Sequence, residues 1–121
     1  MIGRKFADLA DVRERDSWPF KVIKSAETDK ISIQMVGPNK EQHTVEVGDV
    51  CAKIFDKLKE IAKDKLSGAD IKNCILTVPN AFEESQRQAL VDAAGKSGLH
   101  CIGMITEPVA AALAYSHTIG A

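Results

Sequence analysis

The spacing of apolar residues changes period part-way along this chain, and that change limits the folds open to it. Up to Val47 the period is two. Phe20 and Val22 alternate with Lys21 and Ile23 over Phe20–Lys24; Ile31, Ile33 and Met35 share one face of Ile31–Val36; Val45 and Val47 align in His43–Val47. Side chains that alternate in this way belong to half-buried strands. The polar stretch Ser25–Asp29 separates the first two runs, and Gly37-Pro38-Asn39-Lys40, a strong turn signal, separates the second and third. The pattern predicts a three-stranded antiparallel meander.

Beyond Val47 the period becomes that of a helix. Val50, Cys51, Ile54, Phe55, Leu58, Ile61, Ala62 and Leu66 form one stripe, which predicts a helix over about Val47–Lys65. Asp49 near its start and Lys63 and Lys65 near its end suit the helix dipole. On the opposite face Asp56–Lys59 and Glu60–Lys63 are placed for ion pairing, the pattern of a solvated surface. Strand and helix then alternate: an apolar run at Asn73–Val78, a helix at Glu83–Ser97 closing near Gly98, a run at His100–Ile105, and a proline-led helix at Pro108–Tyr115. A β-α-β-α unit calls for two parallel strands joined by a right-handed crossover. The order β-β-β-α-β-α-β-α resembles the ribonuclease-H-like fold of the actin-type ATPases.

Composition narrows the function classes. The chain has 121 residues, 45% apolar and 27% charged, enough for a folded core. Sixteen basic and 17 acidic side chains leave a net charge of −1, which argues against a nucleic-acid binder. No apolar run is long enough to span a bilayer, and Met1-Ile2-Gly3-Arg4-Lys5 leads into no signal-peptide pattern, so no membrane partner is expected. Cys51, Cys74 and Cys101 form no Cys-x-x-Cys motif, and His43, His100 and His117 have no metal-ligand spacing. The cysteines read as small, mostly buried residues of a reducing compartment.

Chemistry in an open α/β sheet gathers beyond the C-terminal ends of the strands. Two such ends are legible, Thr77-Val78-Pro79-Asn80 and Ile105-Thr106-Glu107-Pro108. Adjacent strands would bring Pro79 and Glu107 together on one edge. A carboxylate there can orient a water, or hold a hydrated Mg²⁺ through that water. Glu107 also satisfies the helix dipole with no catalytic role, Pro79 can simply end a strand, and Arg87 can be a surface cation. No phosphate-binding glycine loop is present: Gly95-Lys96-Ser97-Gly98 closes a helix, whereas a phosphate cradle opens one.

Six segments taken together resemble the seventy-kilodalton heat-shock chaperones: Ile2-Gly3-Arg4-Lys5-Phe6, Trp18-Pro19-Phe20-Lys21-Val22, Lys57-Leu58-Lys59-Glu60, Thr77-Val78-Pro79, Ser85-Gln86-Arg87-Gln88-Ala89 and Glu107-Pro108-Val109-Ala110-Ala111-Ala112-Leu113-Ala114-Tyr115. They occur in that family's order, at close to its spacing, along nearly the whole chain. The resemblance implies an internal piece of the N-terminal lobe of an ATPase domain, with residues 1–66 in its peripheral subdomain and 67–121 in its core subdomain. It implies that Glu107 is the catalytic glutamate, serving the attacking water and, through water, Mg²⁺. Pro79 and Arg87 match a proline–arginine pair that relays nucleotide state to the chaperone's other domain.

The same resemblance implies ATP or ADP and Mg²⁺ as cofactors of the full-length parent. Its implied partners are unfolded polypeptides, a J-domain co-chaperone and a nucleotide exchange factor, in the cytoplasm. The catalytic lysine is expected just before Ile2 and the second phosphate loop after Ala121, so this piece alone is expected to be inactive. Several positions depart from the family: Asn80-Ala81-Phe82 for Ala-Tyr-Phe, Val109 for threonine, Ser116 for glycine, and Gly103 and Thr106 where arginine and asparagine meet the co-chaperone. An actin-like cytoskeletal ATPase and a non-enzymatic interaction module are the alternative readings.

Overall fold

The computed structural model describes residues 1–9, 17–26 and 28–120. After a 3-10 turn, Phe6–Leu9, the described elements are β1 (Lys21–Lys24), β2 (Ile31–Val36) and β3 (Gln42–Glu46), then α1 (Val47–Lys65), β4 (Asn73–Val78), α2 (Glu84–Lys96), β5 (His100–Thr106) and α3 (Glu107–Ile119). The element order is the one the periodicity predicts.

β1, β2 and β3 form the antiparallel meander, with Val22 opposite Ile33 and Ile33 opposite Val45. Lys40 closes the hairpin turn at φ 63°, and the Gly37 N–H donates to the Glu41 carbonyl at 2.8 Å. Two details differ from the alternation. Val47 does not extend β3; it is the first residue of α1. Met35 is 44% exposed, whereas Ser32 is buried beside Ile31 and Ile33. The base of β2 is covered on both faces and its tip on neither, so burial follows position along the strand as well as parity.

β4 and β5 pair in parallel, and the register shifts between Cys74 and Ile75. Leu76, Ala94 and Leu99 are the buried centre between this pair and the helices, and Phe55, Ile71, Leu90 and Met104 pack around them. α2 begins with a capping box: the Glu83 side chain accepts from a backbone N–H of the first turn, and the Glu83 N–H donates to Gln86 Oε1 at 3.1 Å. It ends at Gly98, φ 69°, where the Leu99 N–H donates to the Ala94 carbonyl at 3.0 Å and the Gly98 N–H to the Gly95 carbonyl at 2.9 Å. That is the Schellman arrangement, so this glycine segment does close a helix. α3 runs one turn past Tyr115, because nothing breaks it before Gly120 takes the left-handed conformation.

α1 packs on α2 through a polar clasp as much as through its apolar stripe. Ser97 Oγ donates to the Ala52 carbonyl at 2.7 Å, Lys59 Nζ donates to the Ser97 carbonyl at 3.3 Å, and Lys96 pairs with Asp49. The Asp49 carboxylate, hydrogen-bonded to the Lys96 ammonium, raises the lysine's pKa. Only Ala52 of the helix is buried, while Ile54, Leu58, Ile61 and the C-cap Leu66 remain 47–60% exposed. The surface ion pairs also differ from those expected: Lys53–Asp56 at 3.6 Å and Lys57–Glu60 at 2.7 Å. Lys59 instead donates to the Ser97 carbonyl at the end of α2.

Candidate functional site

The parallel register places Val78 opposite Thr106. The chain therefore leaves β4 at Pro79 and β5 at Glu107 on the same edge of the strand pair. Pro79 is half-buried. Its carbonyl accepts the Phe82 N–H at 3.1 Å, which closes the turn that leads into α2. Arg87, one turn into α2, donates its Nε–H to the Phe82 carbonyl at 3.1 Å. Phe82 thus bonds Pro79 with its N–H and Arg87 with its carbonyl.

Glu107 is the first residue of α3 and Pro108 follows it in the opening turn. The carboxylate is exposed, beside a helix N-terminus that favours negative charge. Thr106 precedes it as N-cap without a side-chain capping bond. Among the described residues no group of three or more His, Cys, Asp or Glu side chains could chelate a metal ion. A lone exposed carboxylate suits a hydrated cation held through water, not a dehydrated one held directly.

Two hollows flank α2. The larger, of about 560 Å³, lies between α2, the N-terminal segment and the start of α1, and contains none of Pro79, Arg87 and Glu107. The second is an open groove between α2 and β5, lined by Arg87, Val91, Cys101 and Gly103 among others. Gly103 has open space where a Cβ would stand, so the sheet itself admits a larger side chain there.

Sequence reasoning missed two positions that shape this region. Gly3 takes φ 69°, and a Cβ on it would stand 2.4 Å from the Gln86 Cα and 2.6 Å from the Ser85 carbonyl oxygen. The N-terminal segment therefore rests directly on the first turn of α2, with Ile2 buried beside it. In the sequence Phe82 stands out only as part of a departure from a motif. The signal available is its place immediately before the capping box.

The Hsp70 protein family model matches residues 1–118. This chain belongs to the Hsp70 family. Its mixed α/β architecture agrees with part of that family's actin-like ATPase domain. Relatives include a ribosome-associated molecular chaperone of Saccharomyces cerevisiae, 38% identical over 95% of this chain, and "Heat shock 70 kDa protein 2" of Paracoccidioides lutzii, 41% identical over 95%. A heat shock protein of Pyricularia oryzae is 36% identical over the same share. The chain spans 17–18% of the length of these Hsp70 relatives. No helix among its described residues is long and apolar enough to cross a membrane.

Proposed function

We propose that this chain forms one wall of the nucleotide site in an ATP-driven chaperone, with Glu107 as the catalytic carboxylate. The observation that carries the reading is the common edge: Glu107 and Pro79 leave paired parallel strands side by side, and the Pro79 turn is bonded through Phe82 to Arg87. Glu107 accepts a hydrogen bond from the attacking water and orients it toward the transferred phosphoryl group. Bound Mg²⁺ supplies charge neutralisation on the phosphate oxygens, and Glu107 would hold it through a water.

Pro79 and Arg87 are the switch in this reading. A shift of Pro79 on nucleotide binding moves the Phe82 carbonyl, and with it Arg87, which lines the groove between α2 and β5. Residues 1–66 act as the peripheral subdomain and 67–121 as part of the core. Apolar side chains left uncovered on the β4–β5 pair, Ile75 and Ile102 each 60% exposed, support a further layer packed on this pair in the longer protein. The chain alone neither binds nor hydrolyses ATP on this account. The whole protein works in the cytoplasm on unfolded polypeptides, with a nucleotide exchange factor and a J-domain co-chaperone.

The test is release of a fluorescent unfolded peptide from the full-length protein. ATP is expected to accelerate release from the native protein, and Arg87→Lys to abolish the acceleration while ATP still binds. Release indifferent to ATP in the native protein would refute the chaperone reading. ATP-dependent filaments in light scattering would put the cytoskeletal alternative in its place.

A further inference from the structure

Two of the three cysteines meet across the parallel strands. Cys74 and Cys101 are each the second residue of their strand, and they are direct partners in the β4–β5 ladder. Both are free and half-buried, and both pack against the Leu76, Ala94 and Leu99 centre, so they share the helix-covered face of the pair. The Cys101 side chain is near enough to raise the pKa of the Cys74 thiol. Neighbouring strands stand roughly 4.7–4.9 Å apart, inside the Cα separation of roughly 4.4–6.8 Å that a disulfide bridges. The ladder shifts register immediately after Cys74, which gives the backbone some latitude at this point.

Access distinguishes the two sulfurs. Cys101 lines the open groove between α2 and β5, whereas Cys74 does not. The Cys101 thiol donates to the Gly103 carbonyl at 3.2 Å, which holds it at the floor of that groove. Burial, with Cys101 adding to it, raises the pKa of Cys74 and makes it the poorer first nucleophile. Cys74 is therefore suited to follow a first attack made elsewhere.

We propose that Cys74 and Cys101 form an oxidisable dithiol, a modification site at which a peroxide closes an interstrand disulfide. The Cys101 thiolate attacks one peroxide oxygen; the O–O bond breaks, hydroxide leaves, and Cys101 becomes a sulfenic acid. The Cys74 sulfur attacks the sulfenic sulfur; the S–S bond forms, the S–O bond breaks, and hydroxide leaves. The two thiol protons end on those hydroxides. One peroxide is reduced to two waters as the dithiol loses two electrons. The bridge ties β4 to β5 at the ends opposite Pro79 and Glu107, and its formation does not depend on the nucleotide reading.

The experiment is hydrogen peroxide treatment of the reduced native full chain, followed by thiol alkylation and peptide mass spectrometry. The expected result is a Cys74–Cys101 linked peptide, parallel loss of alkylation at both sites, Cys51 still alkylated, and full recovery with dithiothreitol. In Cys74→Ala, Cys101 is expected to accumulate as a sulfenic acid that dimedone traps. Cys51→Ser is expected to form the same link. The proposal is overturned if Cys74 and Cys101 stay alkylated, if they oxidise separately without a link, if Cys51 is the partner, or if the link forms only in urea.

Discussion

Arg87 and Pro79 never touch in the hydrogen-bond pattern, yet one residue serves both: Phe82 gives its N–H to the Pro79 carbonyl and takes the Arg87 Nε–H on its own carbonyl, each at 3.1 Å. The turn between β4 and α2 is therefore clamped from two sides. Removing one clamp has a modest thermodynamic effect, because the turn is open to water. Arg87→Met is expected to lower stability by about 1 kcal/mol and to speed hydrogen exchange at the Phe82 amide. Denaturant midpoints and amide exchange measure the two effects. An unchanged midpoint with unchanged exchange at Phe82 would show that the bond does not hold the turn.

Gly3 is fixed by approach as well as by dihedral angle. A Cβ there would overlap the α2 backbone at 2.4 Å, and the φ of 69° is one that L side chains resist. Gly68 has a similar φ, 86°, with open space around it. Gly68→Ala is expected to lose only the left-handed penalty, about 1 kcal/mol, and Gly3→Ala about 2–4 kcal/mol. Equal losses in urea titration would mean that the N-terminal segment does not rest on α2.

Ser97 joins the two helices. Its buried hydroxyl donates to the Ala52 carbonyl at 2.7 Å, and its carbonyl accepts from Lys59. Ser97→Ala leaves the Ala52 carbonyl without that donor and is expected to destabilise by about 1–2 kcal/mol. The half-exposed Lys96–Asp49 pair beside it is screened by solvent, so Lys96→Met is expected to lower stability by less than about 1 kcal/mol and by less still in high salt. The raised pKa of Lys96 means that the pair's contribution is present at neutral pH and is lost as pH rises through the folded-state value.

Local chemistry was legible in the sequence, and non-local geometry was not. The Gly98 cap, the Gly37–Lys40 turn and the change of period each depend on residues close along the chain, and each is found where the pattern puts it. The exposure of Met35 depends on how far the rest of the fold covers β2. The ion pairs of α1 are displaced because Lys59 is claimed by Ser97 from the end of another helix. Strand order alone puts Pro79 and Glu107 on one edge, and the Val78–Thr106 register agrees. The Cys74–Cys101 meeting needed that register, although the second-in-strand position of both cysteines carried a hint of it.

The central claim is that Glu107 serves the water that attacks ATP. The direct measurement is ATP binding and single-turnover hydrolysis by the full-length protein, native and Glu107→Ala, beside this 121-residue chain. The variant is expected to bind ATP but to hydrolyse it at least about 100-fold more slowly, and the isolated chain to do neither. Undiminished turnover in Glu107→Ala would contradict it and leave Glu107 as a carboxylate that only starts a helix.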